Sequence, residues 1–326
     1  MEQFYSNYVV GGAGPAGLST ARLLALKGAT VRVVDPQICA PHRLELLAPA
    51  SLGTIAALGL APLLEDAAIA RPCLGIRRRW GTAAIEYDDF LRHPYRTGYV
   101  VDRARFDQRL RAAAAAAGVE FCRGRVLGVE PDAARVLIRA VDGSLQAATF
   151  SDAVIDATGR AALIARRMGA RVTVRDRMVA ELVEQSIDEA GRCAAWLDVE
   201  RADPGWCYTI KGPDGQAQKW AIGRSGAVVH RSHSVRVDAS AGILSKAAGE
   251  RWIAVGDAAI AFDPIASQGL YNALSSALAA TGALVSAEGF GPASAGLYSD
   301  AVAATFAWSE IGRSAAYGGF ARERGQ

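Results

Sequence analysis

The hexapeptide Gly12-Ala13-Gly14-Pro15-Ala16-Gly17 is the first segment whose residue types and spacing could do chemistry. It follows the apolar run Tyr8-Val9-Val10 and opens a stretch, Leu18 to Lys27, whose apolar residues recur at helical spacing until Gly28 ends it. Glycines in such a turn let the backbone reverse tightly and approach a pyrophosphate, while the free N–H groups at the helix start stabilise its negative charge. Asp35 closes the next strand, Val31 to Asp35, eighteen residues beyond Gly17, where its carboxylate can accept hydrogen bonds from an adenosine ribose. GxGxxG alone is also found in ordinary glycine-rich turns. Strand, turn, helix, strand and acid in this order specify a dinucleotide site.

A second element of glycine and acid stands far downstream: Val255-Gly256-Asp257-Ala258-Ala259, then Asp263-Pro264 and Ser267-Gln268-Gly269, ahead of a long apolar segment. A carboxylate after glycine can hold a ribityl hydroxyl. The loop through Pro264 and Gln268 to Gly269 would bring N–H groups and a helix start to the edge of an isoalloxazine ring, where reduced flavin is negative. A simple nicotinamide dehydrogenase needs only the first element, so the pair predicts FAD. The plainer alternative is a strand-loop-helix connection with a capping Asp, but capping does not call for glycine at both ends of so long a loop. No second GxGxxG occurs, and NAD(P)H is therefore expected as a transient reductant over the flavin face.

Glu45 lies in the loop expected near the flavin and reads either as a proton relay or as a solvated carboxylate. Trp206 and Tyr208 flank Cys207 and so share one face of a strand, where they either line a substrate pocket or fill core. His230 and His233 fall in a strand-like stretch where a spacing of three puts them on opposite faces, wrong for shared ligation. The five cysteines, Cys39, Cys73, Cys122, Cys193 and Cys207, form no CxxC pair. No metal is expected, and reduced thiols point to the cytoplasm.

These sites need elements to hold them. The expected fold is α/β: a Rossmann-type FAD-binding domain made of residues 1–71, 102–170 and 238–290, an inserted antiparallel β-sheet substrate domain made of 72–101 and 171–237, and a C-terminal helical segment, 291–326. A loop is expected from Pro36 to Pro49, a helix from Arg103 to Ala117 capped by Asp102, and strands over Val119 to Val129 and Arg135 to Ala140. The chain of 326 residues is 51% hydrophobic, enough for a substantial core. Its net charge of +3 is spread over scattered arginines, which argues against a nucleic-acid arm. Polar Met1 to Asn7 lacks the pattern of a secretion signal, and no stretch reaches the roughly 20 apolar residues of a membrane span.

Four motifs in one order carry a resemblance: GxGxxG, then Asp102-Arg103 followed by Phe106-Asp107, then Asp156-Ala157-Thr158-Gly159-Arg160, then the Gly256-Asp257 loop. The chain resembles the FAD-dependent hydroxylase superfamily that includes p-hydroxybenzoate hydroxylase, tryptophan halogenases and geranylgeranyl reductases. Arg43-Leu44-Glu45 before Pro49, Trp80-Gly81, Gly205-Trp206-Cys207-Tyr208 and the Gly256 to Gly269 loop make it similar to flavoproteins that modify tryptophan in tryptophylquinone enzymes. It departs from them with Cys207 where Trp-Trp-Tyr is common, and with a short region between Arg171 and Val237. The resemblance implies that Arg43 and Arg103 contact FAD phosphate or ribose, that Val126 presents backbone to the adenine, and that Asp257 holds the ribityl chain. It also implies a monooxygenase that uses O₂ and NAD(P)H, through a flavin hydroperoxide, on an aromatic small molecule or a tryptophan-bearing partner protein. A reductase or dehydrogenase, a halogenase and a non-catalytic FAD-binding partner are the alternatives. Halogenases of this superfamily place a lysine between flavin and substrate, and none of Lys27, Lys211, Lys219 and Lys246 matches that position.

Overall fold

The computed structural model describes residues 2–37, 42–80, 84–187, 194–203, 205–225 and 234–322, and within these the side chains of residues 7–317. Five strands run parallel in the order Glu120–Glu130, Val31–Asp35, Glu2–Gly11, Leu145–Asp156 and Trp252–Ala254, with the antiparallel pair-strand Ala248–Gly249 at the edge. Val9, Val10, Val33, Val154, Ile155 and Ile253 are wholly buried, as expected of a parallel sheet covered on both faces. Arg135–Ala140 bridges Glu120–Glu130 to Leu145–Asp156 in antiparallel register. Helix Pro15–Leu26 turns Leu18, Ala21 and Leu24 inward and packs against helix Gly269–Leu284.

From the strand Glu2–Gly11 the chain crosses one way to Val31–Asp35, and on its other side lies Leu145–Asp156. A crevice therefore opens at the carboxyl ends of these two strands, where connections leave in opposite directions and α/β sheets hold their ligands. Gly11 and Asp156 are register partners there.

A nine-stranded sheet makes the second layer, in the order Arg236–Asp238, Met178–Ile187, Gln216–Arg224, Gly205–Lys211, Ala195–Ala202, Ala70–Arg79, Gly98–Asp102 and Leu44–Leu47, with Glu86–Asp89 beside Ala70–Arg79. Two features differ from the sequence expectation. Leu44–Leu47 is a strand paired with Gly98–Asp102, not part of a loop, because burial of Leu44, Leu46 and Leu47 rewards pairing that the short segment alone does not announce. The sheet is also not wholly antiparallel, since Ala70–Arg79 and Ala195–Ala202 run parallel across a long crossover.

The last helix spans Pro292–Arg322 and returns to both layers. Tyr298 Oη donates to the Ala254 carbonyl at 2.8 Å, Arg313 pairs with Asp176 at 2.6 Å, and Trp80 Nε1 donates to the Ala316 carbonyl at 3.1 Å. Among the described residues no helix is long and apolar enough to cross a membrane, and no group of three His, Cys, Asp or Glu side chains is placed to hold a metal. His230, His233, Cys39, Cys193 and Gly81 lie outside the described residues.

Candidate functional site

At two of its glycines, Gly12 and Gly17, the turn leaves no room for a larger residue. A Cβ on Gly12 would stand 2.2 Å from the Ala157 carbonyl oxygen, and φ there is +106°. One on Gly17 would stand 2.2 Å from the Gly12 carbonyl oxygen. Gly14 faces open space with nothing within 4 Å, which leaves backbone bare at the start of helix Pro15–Leu26. Asp35 closes the turn: Oδ2 accepts from the Ala13 N–H at 3.0 Å and Oδ1 from the Gln37 N–H at 2.7 Å. The chemistry fits a diphosphate, with bare backbone donors and a helix start.

The two motifs that lie far apart in sequence meet here. A Cβ on Gly256, whose φ is +58°, would come within 2.7 Å of the Ala16 Cβ, so the second glycine allows its loop to sit against the first helix. Gly256 N–H donates to Ser276 Oγ at 2.8 Å. Asp263 caps the short turn Pro264–Ala266, accepting from the Ile265 N–H at 3.0 Å, and Gln268 begins helix Gly269–Leu284 with no side-chain cap. The first N–H groups of that helix are left for a ligand.

A cavity of about 290 Å³ joins these parts. One side is lined by Gly14 to Gly17, Arg43, Glu45, Arg103, Asp257, Pro264, Gln268 and Gly269. The other is lined by Leu197, Val199, Trp206, Tyr208, Ile210 and Trp220, all from the nine-stranded sheet. Of the residues expected at the cofactor, Gly12, Ala13, Asp35, Val126 and Gly256 do not line it. Gly12 and Gly256 shape the turn and the loop from behind. Val126 is buried at 6% exposure and paired with Ile138 in the strand ladder.

Charge in the cavity is organised around Glu45. Its Oε1 accepts from Arg103 at 2.6 Å and from Arg43 at 2.9 Å, and Arg103 reaches on to both carboxylate oxygens of Asp107, at 3.2 and 3.0 Å. Burial alone would raise Glu45, but the Arg103 and Arg43 guanidiniums outweigh it and hold the carboxyl below its usual range. Asp257 is pushed up by burial, opposed by Arg160 at 3.4 Å. Burial also pushes the Tyr208 hydroxyl up, with Glu45 adding to the shift, so the phenol keeps its proton and can donate.

The aromatic wall is a chain of ring contacts. Trp80 and Trp206 are 6.3 Å apart, Trp206 and Tyr208 6.0 Å, and Tyr208 stacks on Trp220 at 6.5 Å with planes 13° apart. Pocket and core, the two readings of Trp206 and Tyr208, are both realised, since Trp206 lines the cavity at only 2% exposure. Its Nε1 donates to Tyr317 Oη at 2.9 Å, and Tyr317 Oη donates to Asp263 Oδ1 at 3.2 Å. Tyr317 carries no sequence signal beyond being an aromatic in the last helix. Arg160 stood inside the Asp-Ala-Thr-Gly-Arg motif and could have been read as an ion partner. Asp156 in the same motif is structural, with Oδ1 accepting from the Thr158 N–H and Oγ1 at 2.9 and 2.6 Å, and Oδ2 from the Ala165 N–H at 2.7 Å.

Residues 6–198 match the family described as FAD binding domain. No curated protein matches the chain. Among solved structures the chain is similar to the peptidyl tryptophan dihydroxylase QhpG, essential for tryptophylquinone cofactor biogenesis, with 25% identity, 97% of this chain and 75% of that one covered, and a TM-score of 0.74. It is similar to the myxobacterial chondrochloren halogenase CndH at 22% identity, with 85% and 74% covered and a TM-score of 0.74. A geranylgeranyl bacteriochlorophyll reductase-like protein of Thermoplasma acidophilum aligns at 20% identity, with 95% and 86% covered and a TM-score of 0.76. The last two likenesses establish the fold alone, an α/β Rossmann-type domain with a second sheet and a C-terminal helix.

Proposed function

The chain belongs to the FAD binding domain family, and from that premise we propose that it is a monooxygenase hydroxylating an electron-rich aromatic substrate, a tryptophan that is free or held in a partner protein. The observation that carries this reading is a cavity with a glycine turn and helix start fit for a dinucleotide on one side and Trp206, Tyr208 and Trp220 among aliphatic residues on the other. FAD, bound and reduced by NAD(P)H, supplies the electrons that activate O₂. The protein supplies binding, orientation and exclusion of water.

Gly14 to Gly17 and the start of helix Pro15–Leu26 bind the pyrophosphate. Arg43 and Arg103 face the same side of the cavity, and Asp257 offers a carboxylate to ribityl hydroxyls. Glu45 is held ionised between two guanidiniums, which makes it a poor proton donor and fits a role in aiming Arg43 and Arg103 better than a proton relay. The flat rings of Trp206 and Tyr208 orient an aromatic substrate by stacking, and the Tyr208 hydroxyl is a protonated donor at Oη. The likeness to a peptidyl tryptophan dihydroxylase supports tryptophan as the substrate class. Halogenation is the weaker reading because no lysine is among the described residues lining the cavity, and Lys219 is paired with Glu200 at 2.6 Å.

The test is turnover of FAD-loaded protein with NADH or NADPH under isotopically labelled O₂, offered free tryptophan and a tryptophan-bearing peptide, with product read by mass spectrometry. One or two labelled oxygens on the ring are expected. An oxidised product without label overturns hydroxylation in favour of a dehydrogenase, and bromide or chloride incorporation overturns it in favour of a halogenase.

A further inference from the structure

The helix Pro292–Arg322 lays one face on the molecule and leaves the other bare. Ala295, Tyr298 and Phe306 are buried, Ser299 Oγ accepts from the Ala247 N–H at 3.2 Å, and Arg313 is tied to Asp176 and Glu310. The opposite face carries Leu297, Ala301, Ala304, Trp308, Ile311 and Ala315, all exposed. Their spacing of four, three, four, three, four is an unbroken heptad seam. Trp308 at 77% and Leu297 at 74% are the most exposed large hydrophobic side chains among the described residues.

The order of sizes along the seam selects its occupant. When two copies of the helix are laid antiparallel about a two-fold axis beside residue 306, Leu297 faces Ala315 of the second copy, Ala301 faces Ile311, and Ala304 faces Trp308. Every layer then sets one large side chain against one alanine, the volume match that close packing needs. Each layer also joins an a position to a d position, as antiparallel pairing requires. A parallel pair would set Trp308 against Trp308 and Ala304 against Ala304, giving a clash and then a void. Thr305, Ala307, Gly312 and Ser314 flank the seam and let backbones approach. Asp300 is its one charged neighbour among the described side chains, because Glu310 and Arg313 turn inward. Between Leu297 and Ala315 this face carries no Lys or Arg among the described side chains, so it offers an anionic lipid surface little to attract.

We propose that this chain forms an isologous dimer through its C-terminal helix, antiparallel and centred beside residue 306. Sedimentation velocity on the FAD-loaded full chain tests it. The parent should sediment at about twice 34.2 kDa. W308E should be monomeric at concentrations where the parent is dimeric, with flavin absorbance retained because the side chain lies outside the core. A304W alone sets tryptophan against tryptophan, and W308A alone sets alanine against alanine, so each should weaken the dimer. The double variant A304W/W308A restores one large and one small residue per layer and should restore the dimer. A parent that stays monomeric up to its solubility limit overturns the proposal, as does a dimer that survives W308E or a double variant with no rescue. A monomer that instead co-floats with phosphatidylcholine vesicles overturns it in favour of a membrane.

Discussion

Replacing Tyr317 by Phe removes one oxygen atom and leaves the ring to pack where it does, against the core of the nine-stranded sheet. That oxygen accepts from the Trp206 indole N–H and donates to Asp263. Trp206, 2% exposed, loses the acceptor of its indole N–H. A stranded buried donor costs about 1–3 kcal/mol. Asp263, 5% exposed, loses one donor but keeps the Ile265 N–H, so its share is smaller. Together the substitution should destabilise the protein by about 2–4 kcal/mol. Urea titration of the FAD-loaded protein, followed by far-ultraviolet circular dichroism, would show this as a lower midpoint at unchanged slope. A cycle with Trp206→Phe isolates the bond: in that background there is no indole donor to strand, and Tyr317→Phe should cost at least about 1 kcal/mol less. Strict additivity, or a single-variant loss below about 0.5 kcal/mol, the range of surface substitutions, would refute the coupling between the last helix and the aromatic wall.

Gly17→Ala places a methyl group 2.2 Å from the Gly12 carbonyl oxygen and should force the turn apart, so that purified protein lacks the flavin absorbance of the parent; retention of stoichiometric FAD would contradict the close-approach argument. Glu45→Gln removes the charge bridging Arg43 and Arg103 and should cost about 1.5–3 kcal/mol at neutral pH. Because the folded protein holds the Glu45 carboxyl below its usual range, its stabilisation is complete above the unfolded value of about 4.3 and is lost as pH falls through the folded one. The stability gap between parent and Glu45→Gln, measured by urea midpoint, should therefore close toward acid, and a gap that widens there would reverse the assigned sign.

Legibility followed distance along the chain. The glycine turn and Asp35 could be read from sequence because strand, turn, helix and strand are consecutive, and the demand for glycine is local. The contact of Gly256 with Ala16 could not, since neither residue indicates which surface the other will meet. Leu44–Leu47 hid for a related reason: four residues beside a proline show no strand period, and their partner Gly98–Asp102 lies fifty residues on. Glu45 was legible as a candidate carboxylate, but its ionised, bridged state depends on Arg43 and Arg103 arriving together. For Val126 the likeness implies a backbone contact with the adenine, and its side chain lies in the core. Tyr317 was invisible because its role is set by the return of a helix that sequence reading could only place at the end.

Both layers are stitched from segments that are distant in the chain: Glu2–Gly11 beside Leu145–Asp156, and Ala70–Arg79 beside Ala195–Ala202. A polypeptide leaving the ribosome therefore carries its glycine turn into the cell long before the turn has neighbours. The strand Leu44–Leu47 waits for Gly98–Asp102, the aromatic wall waits for Trp206 and Trp220, and the cradle is incomplete until Gly269 has emerged. Loading with cofactor is consequently a late event of synthesis, and the unfinished chain must keep long unpaired edges and an open apolar sheet from meeting those of its neighbours. Flavin supply would then govern yield as much as activity, through how quickly the finished chain is closed around it.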